Sequence, residues 1–167
     1  MEVRIAGIKK HSAANGPGIR YVIFMQGCRH NCFNCHNPDT HDPDAGTLFD
    51  TDDIIGDMLS AKYIDGITLS GGDPFVQPEQ TALIAEAAKR AGLDVWAYTG
   101  WTFEELVSGR AGFEGKKALE FVDVLVDGRY TDALRSSECL WRGSTNQRLI
   151  DVKRSLAEGA AQELKDE

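Results

Sequence analysis

Residues 19–38 read IRYVIFMQGCRHNCFNCHNP, and the order of residue types in that stretch decides how the chain is read. Residues 19–27 are an apolar, β-rich run that stops at Gly27. A short run of that kind, bounded by glycine, reads as a buried strand. Directly after it come Cys28, Cys32 and Cys35, three of only four cysteines in the chain. A strand that hands over at once to reactive side chains suits a parallel sheet, where function gathers beyond the C-terminal strand ends.

Outward from there the pattern recurs. Residues 65–72 (DGITLSGG), 93–100 (LDVWAYTG) and 121–128 (FVDVLVDG) are further short apolar runs that end in glycine. Between them lie helical segments. Residues 50–63 open on aspartates and space Ile54, Ile55, Met58 and Leu59 at helical intervals. Residues 78–92 begin with Pro78 and stop at Gly92, and residues 102–109 supply a shorter helix. Strands alternating with helices predict an α/β fold with a mainly parallel sheet and the helices packed outside it. Four strand ends, GCRHNC, SGGDP, YTGWT and DGRYT, would then meet at one mouth.

The chain has 167 residues, room for one domain with a real core. Residues 1–158 are expected to form it, with 159–167 as an acidic C-terminal tail or fraying helix. The net charge of −8, without a Lys/Arg run, argues against nucleic acid as the main partner. No apolar run approaches a membrane span, and the N-terminal MEVRIAGIKK lacks the apolar core of a signal peptide. A cytoplasmic location follows as an expectation, and there clustered cysteines bind metal or do redox chemistry more often than they form disulfides.

Three thiols are one short of a closed zinc or iron–sulfur site. His30, His36 or Cys139 could complete a structural zinc knuckle, although a zinc ribbon would bring a second Cys-x-x-Cys pair. Alternatively, three cysteines on a [4Fe-4S] cluster would leave one iron open to a small molecule.

The spacing C-x3-C-x2-C resembles the signature of the radical S-adenosylmethionine (SAM) enzymes. NGPGIRYVIFMQGC and CHNP are similar to the branch that activates glycyl-radical enzymes. VDVLVDGRY and LWRGSTNQRLIDVKRSL look like the activators of anaerobic ribonucleoside-triphosphate reductases within it. The resemblance implies a partial, open β/α barrel of the radical SAM type. It implies an oxidoreductase in which Cys28, Cys32 and Cys35 hold a [4Fe-4S] cluster whose fourth iron binds SAM. Reductive cleavage of SAM would then yield a 5′-deoxyadenosyl radical that takes hydrogen from a glycine of the class III reductase. An electron donor such as flavodoxin or ferredoxin is implied as well.

By the same resemblance Asn34, Cys35, His36 and Asn37 would lie along SAM, with Asn34 where many relatives carry an aromatic residue. Ser70, Gly71, Gly72 and Asp73 would receive its methionyl amino group, the glycines leaving space and Ser70 and Asp73 offering polar atoms. YTG and DGR, with Asp127 and Arg129 in the second, lie where related pyruvate formate-lyase activators place ribose contacts and a monovalent cation site. Arg129, in place of a lysine, would meet the SAM carboxylate, and Tyr98, in place of an aspartate, is a poor cation ligand. The segment WRGSTNQR, 141–148, would serve the reductase or the mouth of the site. His41 is given no role, and Cys139 reads as a small buried hydrophobe. Activation of another glycyl-radical enzyme such as pyruvate formate-lyase, and a non-enzymatic iron–sulfur or zinc module, remain the alternatives.

Overall fold

In the computed structural model, which describes residues 1–165, the apolar runs become the centre of a seven-stranded sheet. Its strands are β1 (Glu2–Ser12), β2 (Arg20–Met25), β3 (Thr47–Asp50), β4 (Gly66–Gly71), β5 (Asp94–Tyr98), β6 (Val124–Asp127) and β7 (Arg148–Asp151). They lie in the order β3-β1-β2-β4-β5-β6-β7. The four strands read from glycine-stopped runs, β2, β4, β5 and β6, are parallel neighbours, while β1, β3 and β7 pair antiparallel at the two sides. The fold is therefore mixed α/β and parallel only in its core. β3 and β7 are its two edges, so the sheet is open.

The helices are α1 (Thr51–Ser60), α2 (Pro78–Arg90), α3 (Phe103–Val107), α4 (Phe113–Leu119) and α5 (Val152–Glu158). The Asp50 side chain caps α1 by accepting from the Asp52 N–H, and Thr102 and Glu105 form a capping box on α3. Because strand residues alternate between faces, Tyr21, Ile23 and Met25, Ile67 and Leu69, and Val95 and Ala97 all point one way. They pack with Ile54 and Met58 of α1, Ile84 and Ala88 of α2, and Leu106 and Leu119 beyond. Helices α1 to α4 thus cover one face.

The opposite face carries Arg20, Thr68, Ser70 and Trp96, all buried, and only a small apolar cluster of Trp96, Val126 and Leu149. Arg20 is 1% exposed and spans its lower end. Its guanidinium donates to Thr68 Oγ1 at 2.7 Å and to Asp94 Oδ1 at 3.1 Å, and lies 5.6 Å over the Trp96 ring. A buried arginine persists only with such partners.

The segment expected as an acidic tail folds back along β7 as far as it is described. Gly159 ends α5 with φ +71, then Asp151 N–H donates to Gln162 O at 2.9 Å and Leu164 N–H to Leu149 O at 2.7 Å. Residues 166 and 167 lie outside the described residues.

Candidate functional site

The chain leaves β2 through Gly27, which has φ +99, and the three-cysteine loop begins. Backbone bonds fix its start: Gly27 N–H to Thr40 O at 2.7 Å, Cys28 N–H to His41 O at 3.1 Å, and Asp73 N–H to Gly27 O at 2.8 Å. Asn31 and Asn34 take φ of 48 and 53, a left-handed geometry that asparagine tolerates better than most residues. A turn closed by Cys35 N–H to Cys32 O then brings the last two thiols round.

The four strand ends do meet. Cys28, Cys32 and Cys35 line a cavity of about 410 Å³ together with Ser70, Gly71 and Gly72 after β4. Tyr98, Thr99 and Gly100 after β5, and Gly128 after β6, line it too. The loop before β7 contributes Trp141, Arg142, Gly143 and Gln147 to the same wall, and Asn15 closes the far side. Burial pushes the Cys28 thiol up to about 11, against an opposing backbone hydrogen bond from His30. Burial, with Cys35 close by, raises Cys32 as well. Such thiols become thiolates when a metal supplies the positive charge.

The donor set fits a cluster better than a single ion. Among the described residues no group of three or more His, Cys, Asp and Glu side chains converges on one ion-sized point. A cluster needs no such convergence, because each thiolate takes its own iron. His30, one candidate for a fourth zinc ligand, has its Nε2 committed to Asp73 at 2.7 Å. The Cys35 sulfur accepts from the Asn37 N–H at 3.4 Å, the kind of contact that tunes cluster potential.

The expected ligand contacts divide. Among the described residues that line the cavity are His36, Asn37, Ser70, Gly71 and Gly72, whereas Asn34, Asp73, Asp127 and Arg129 are not. His36 rests against the Tyr130 ring, with centroids 4.8 Å apart. Asn37 Nδ2 donates to Gly71 O at 3.4 Å, and Asn34 Nδ2 donates to Asp132 at 3.2 Å. Asp73 is fully buried and accepts from Phe75 N–H, Thr99 Oγ1, Gly100 N–H and His30. Asp127 is equally buried, accepting from Phe103 N–H at 2.7 Å and from Arg148. Arg129 lies 5.7 Å over the Trp101 ring and 3.5 Å from Glu105.

The two glycines of SGGD have a different immediate cause from the space expected for a methionyl group. A Cβ on Gly71 would overlap the Met25 backbone, and one on Gly72 would overlap the Gly27 carbonyl and approach Thr40 O to 2.8 Å. They are glycines because β2 and β4 end side by side, Met25 opposite Gly71.

Gln147 organises the cavity wall to an extent its motif did not reveal. Its Oε1 accepts from the N–H groups of Gly143 and Ser144 at 2.9 and 3.2 Å, while Nε2 donates to Gly128 O at 3.0 Å. Tyr130, next to Arg129 in DGRYT, was missed entirely; its hydroxyl donates to Asp132 at 2.8 Å beneath His36. Burial pushes the Tyr98 hydroxyl up to about 12, so it stays a hydrogen-bond donor.

A three-thiol loop at the mouth of such a sheet belongs to the single-cluster iron–sulfur class, and the family model for the 4Fe-4S single cluster domain matches residues 14–150. The anaerobic ribonucleoside-triphosphate reductase-activating protein of Enterobacteria phage T4 is 38% identical over 142 residues, 81% of this chain and 85% of that protein. The proteins of the same name from Escherichia coli and Salmonella typhimurium are 34% and 36% identical, each over 80% of this chain and 88% of the relative. The chain belongs to the family of anaerobic ribonucleoside-triphosphate reductase-activating proteins. Among solved structures, QueE from Escherichia coli aligns with a TM-score of 0.49 at 14% identity, over 76% of this chain and 71% of that one, too distant to bear on function.

Proposed function

We infer that this protein activates an anaerobic, class III ribonucleoside-triphosphate reductase by cleaving SAM reductively at a [4Fe-4S] cluster and taking a hydrogen atom from a glycine of that partner. The observation that carries the reading is the composition of the cavity wall. Cys28, Cys32 and Cys35 all line it and, among the described lining residues, Cys139 does not. Three protein ligands leave one iron for a cofactor, and a volume of about 410 Å³ beside them exceeds what a water molecule needs. When bound, cluster and SAM together supply one-electron cleavage of a sulfonium and the carbon-centred radical that oxidises the partner's glycine.

The chain's own groups hold and orient. Ser70, Tyr98 and Thr99 offer hydroxyls along the wall, and the backbone of Gly71 and Gly72 is free of side chains where the cofactor's amino acid end would lie. Trp141 and Gly143 belong to the part of the wall that the loop before β7 supplies. The helical layer covers one face of the sheet, and the partial barrel that the resemblance implies would leave the mouth open to a protein loop. Among the described residues no helix is long and apolar enough to cross a membrane. A cytoplasmic location and a flavodoxin- or ferredoxin-type electron donor are part of the same proposal.

The test is anaerobic incubation with SAM, a strong reductant and the reductase encoded in the same genome, followed by EPR. A glycyl doublet on the reductase is the expected result. Protein that contains iron and sulfide but gives neither SAM cleavage nor the doublet would overturn the proposal.

A further inference from the structure

His30 sits midway between Cys28 and Cys32, where a loop residue would ordinarily be solvated. Its side chain is instead 5% exposed, and Nε2 is 2.7 Å from Oδ2 of Asp73, whose side chain is 0% exposed. A carboxylate only accepts, so the ring nitrogen donates. The ring meets Trp101 edge-on, with centroids 5.0 Å apart at 79°, and lies so close over Gly100 that any Cβ there would overlap it. Only glycine at 100 admits the ring.

Asp73 is saturated. Oδ1 accepts from Phe75 N–H at 2.9 Å, and Oδ2 accepts from Thr99 Oγ1 at 2.8 Å and Gly100 N–H at 3.0 Å in addition to His30. One buried carboxylate thereby joins the end of β4, the turn Pro74–Val76, the loop after β5 and the three-cysteine loop. The carboxylate is fully buried and is not among the described residues lining the cavity, so an incoming ammonium group there does not reach it. Between Cys28 and Cys32 no other side-chain bond among those described reaches the strand ends, so this contact sets where the spacer lies.

We propose that the His30–Asp73 hydrogen bond is a latch that positions the three-cysteine loop for its cluster, which makes Asp73 a positioning residue and not a ligand of the SAM ammonium group. The assignment rests on the cluster reading above. It differs from the role that the SGGD resemblance implies for the same carboxylate.

The experiment compares wild type, His30→Phe, His30→Gln, Asp73→Asn and the double variant His30→Phe/Asp73→Asn. In proteins reconstituted anaerobically with iron and sulfide, the rate at which a ferrous chelator strips iron is measured beside SAM affinity by equilibrium dialysis. Losing a contact behind a metal ligand typically costs about 10–100-fold in retention, and that is the acceleration expected for His30→Phe and Asp73→Asn. The double variant should be no faster than the worse single one, since both remove one bond. His30→Gln, which keeps an N–H at comparable reach, should recover most of the loss.

In cluster-free protein, alkylation of Cys28 and Cys32 by iodoacetamide should run about tenfold faster in His30→Phe, an effect independent of whether any cluster forms. Wild type that takes up no cluster would sink the functional reading while this alkylation still tests the latch, and equal alkylation rates would overturn it. Weakened SAM binding in Asp73→Asn with unchanged iron release in both single variants would return Asp73 to the cofactor. A melting temperature that falls in step with iron loss, without rescue by glutamine, would assign the pair to general stability and overturn the latch equally.

Discussion

Gly72→Ala adds one methyl group where two strand ends and the start of the three-cysteine loop converge. The new Cβ would lie 2.8 Å from both Thr40 O and the Gly27 carbonyl carbon, and closer still to the Gly27 oxygen. Ordinary contact begins near 3.4 Å, so these backbone groups must retreat by about 0.6 Å or more. They cannot do so independently. Gly72 N–H is bonded to Met25 O at 2.9 Å, Asp73 N–H to Gly27 O at 2.8 Å and Gly27 N–H to Thr40 O at 2.7 Å. Overpacking costs about 1–3 kcal/mol, and leaving one buried backbone group unpaired adds about 1–3 kcal/mol. The sum, about 2–6 kcal/mol, is a large share of the roughly 5–15 kcal/mol that holds such a domain together. Because Gly27 precedes Cys28, the same displacement moves Cys28, the first of the three proposed cluster ligands. Urea unfolding of the apoprotein beside iron and sulfide analysis should therefore show lost stability and a depleted cluster together. An alanine variant with wild-type stability and a full cluster, but weaker SAM binding, would refute the reasoning and show that position 72 is glycine for the ligand's sake.

Replacing Cys28, Cys32 or Cys35 with alanine should abolish the intact cluster, while Cys139→Ala should keep near-normal iron; equal loss in all four would mean a four-cysteine site. Arg148→Met strands the buried Asp127 carboxylate, which Arg148 meets at 2.6 Å, and should cost about 3–5 kcal/mol in urea unfolding. A loss below about 1 kcal/mol would show that the carboxylate does not depend on the pair. The hydrogen bonds of Arg148 hold Glu104 below its ordinary 4.5. Its stabilising contribution is therefore complete above that value and drains away as pH falls through the lower folded one. Glu104→Gln should flatten the acid limb of stability slightly, since this side chain is 58% exposed; superimposable wild-type and variant profiles would sink the idea. Gln147→Ala loosens Gly143 and Ser144 from Gly128, so uncoupled SAM cleavage and glycyl-radical formation should fall together. If cleavage survives while the radical is lost, residues 141–148 serve the partner.

The cysteine loop and the four strand ends were legible because each is a local pattern: an apolar run, a glycine, then polar residues. The flanking strands were not. β3 is four exposed residues, TLFD, with no buried face to show in its pattern, and β7 has only four residues to alternate. β1 carries Gly7, Lys9 and Lys10, and its register against β2 shifts twice. The acidic residues were harder for another reason. Motif context marked Asp73 and Asp127, but the direction each carboxylate faces depends on donors distant in sequence. His30 is 43 positions from Asp73, and Arg148 is 21 from Asp127. Gly72 shows the same thing: its constraint comes from Gly27 and Thr40, and no spacing rule reports that.

The backbone bonds that tie Gly27 and Cys28 to residues 40, 41 and 73 bear on what becomes of the protein after damage. Where metal binding supplies the folding energy, losing the metal unfolds the chain and exposes it to proteolysis. Here the loop is anchored by peptide groups on a sheet that buries its own core, so oxygen that destroys a cluster should leave an intact receptacle. Rebuilding then requires iron and sulfide but no new polypeptide. A cell passing between aerobic and anaerobic growth could keep a standing pool of this protein and recharge it, with recovery limited by cluster delivery and not by translation.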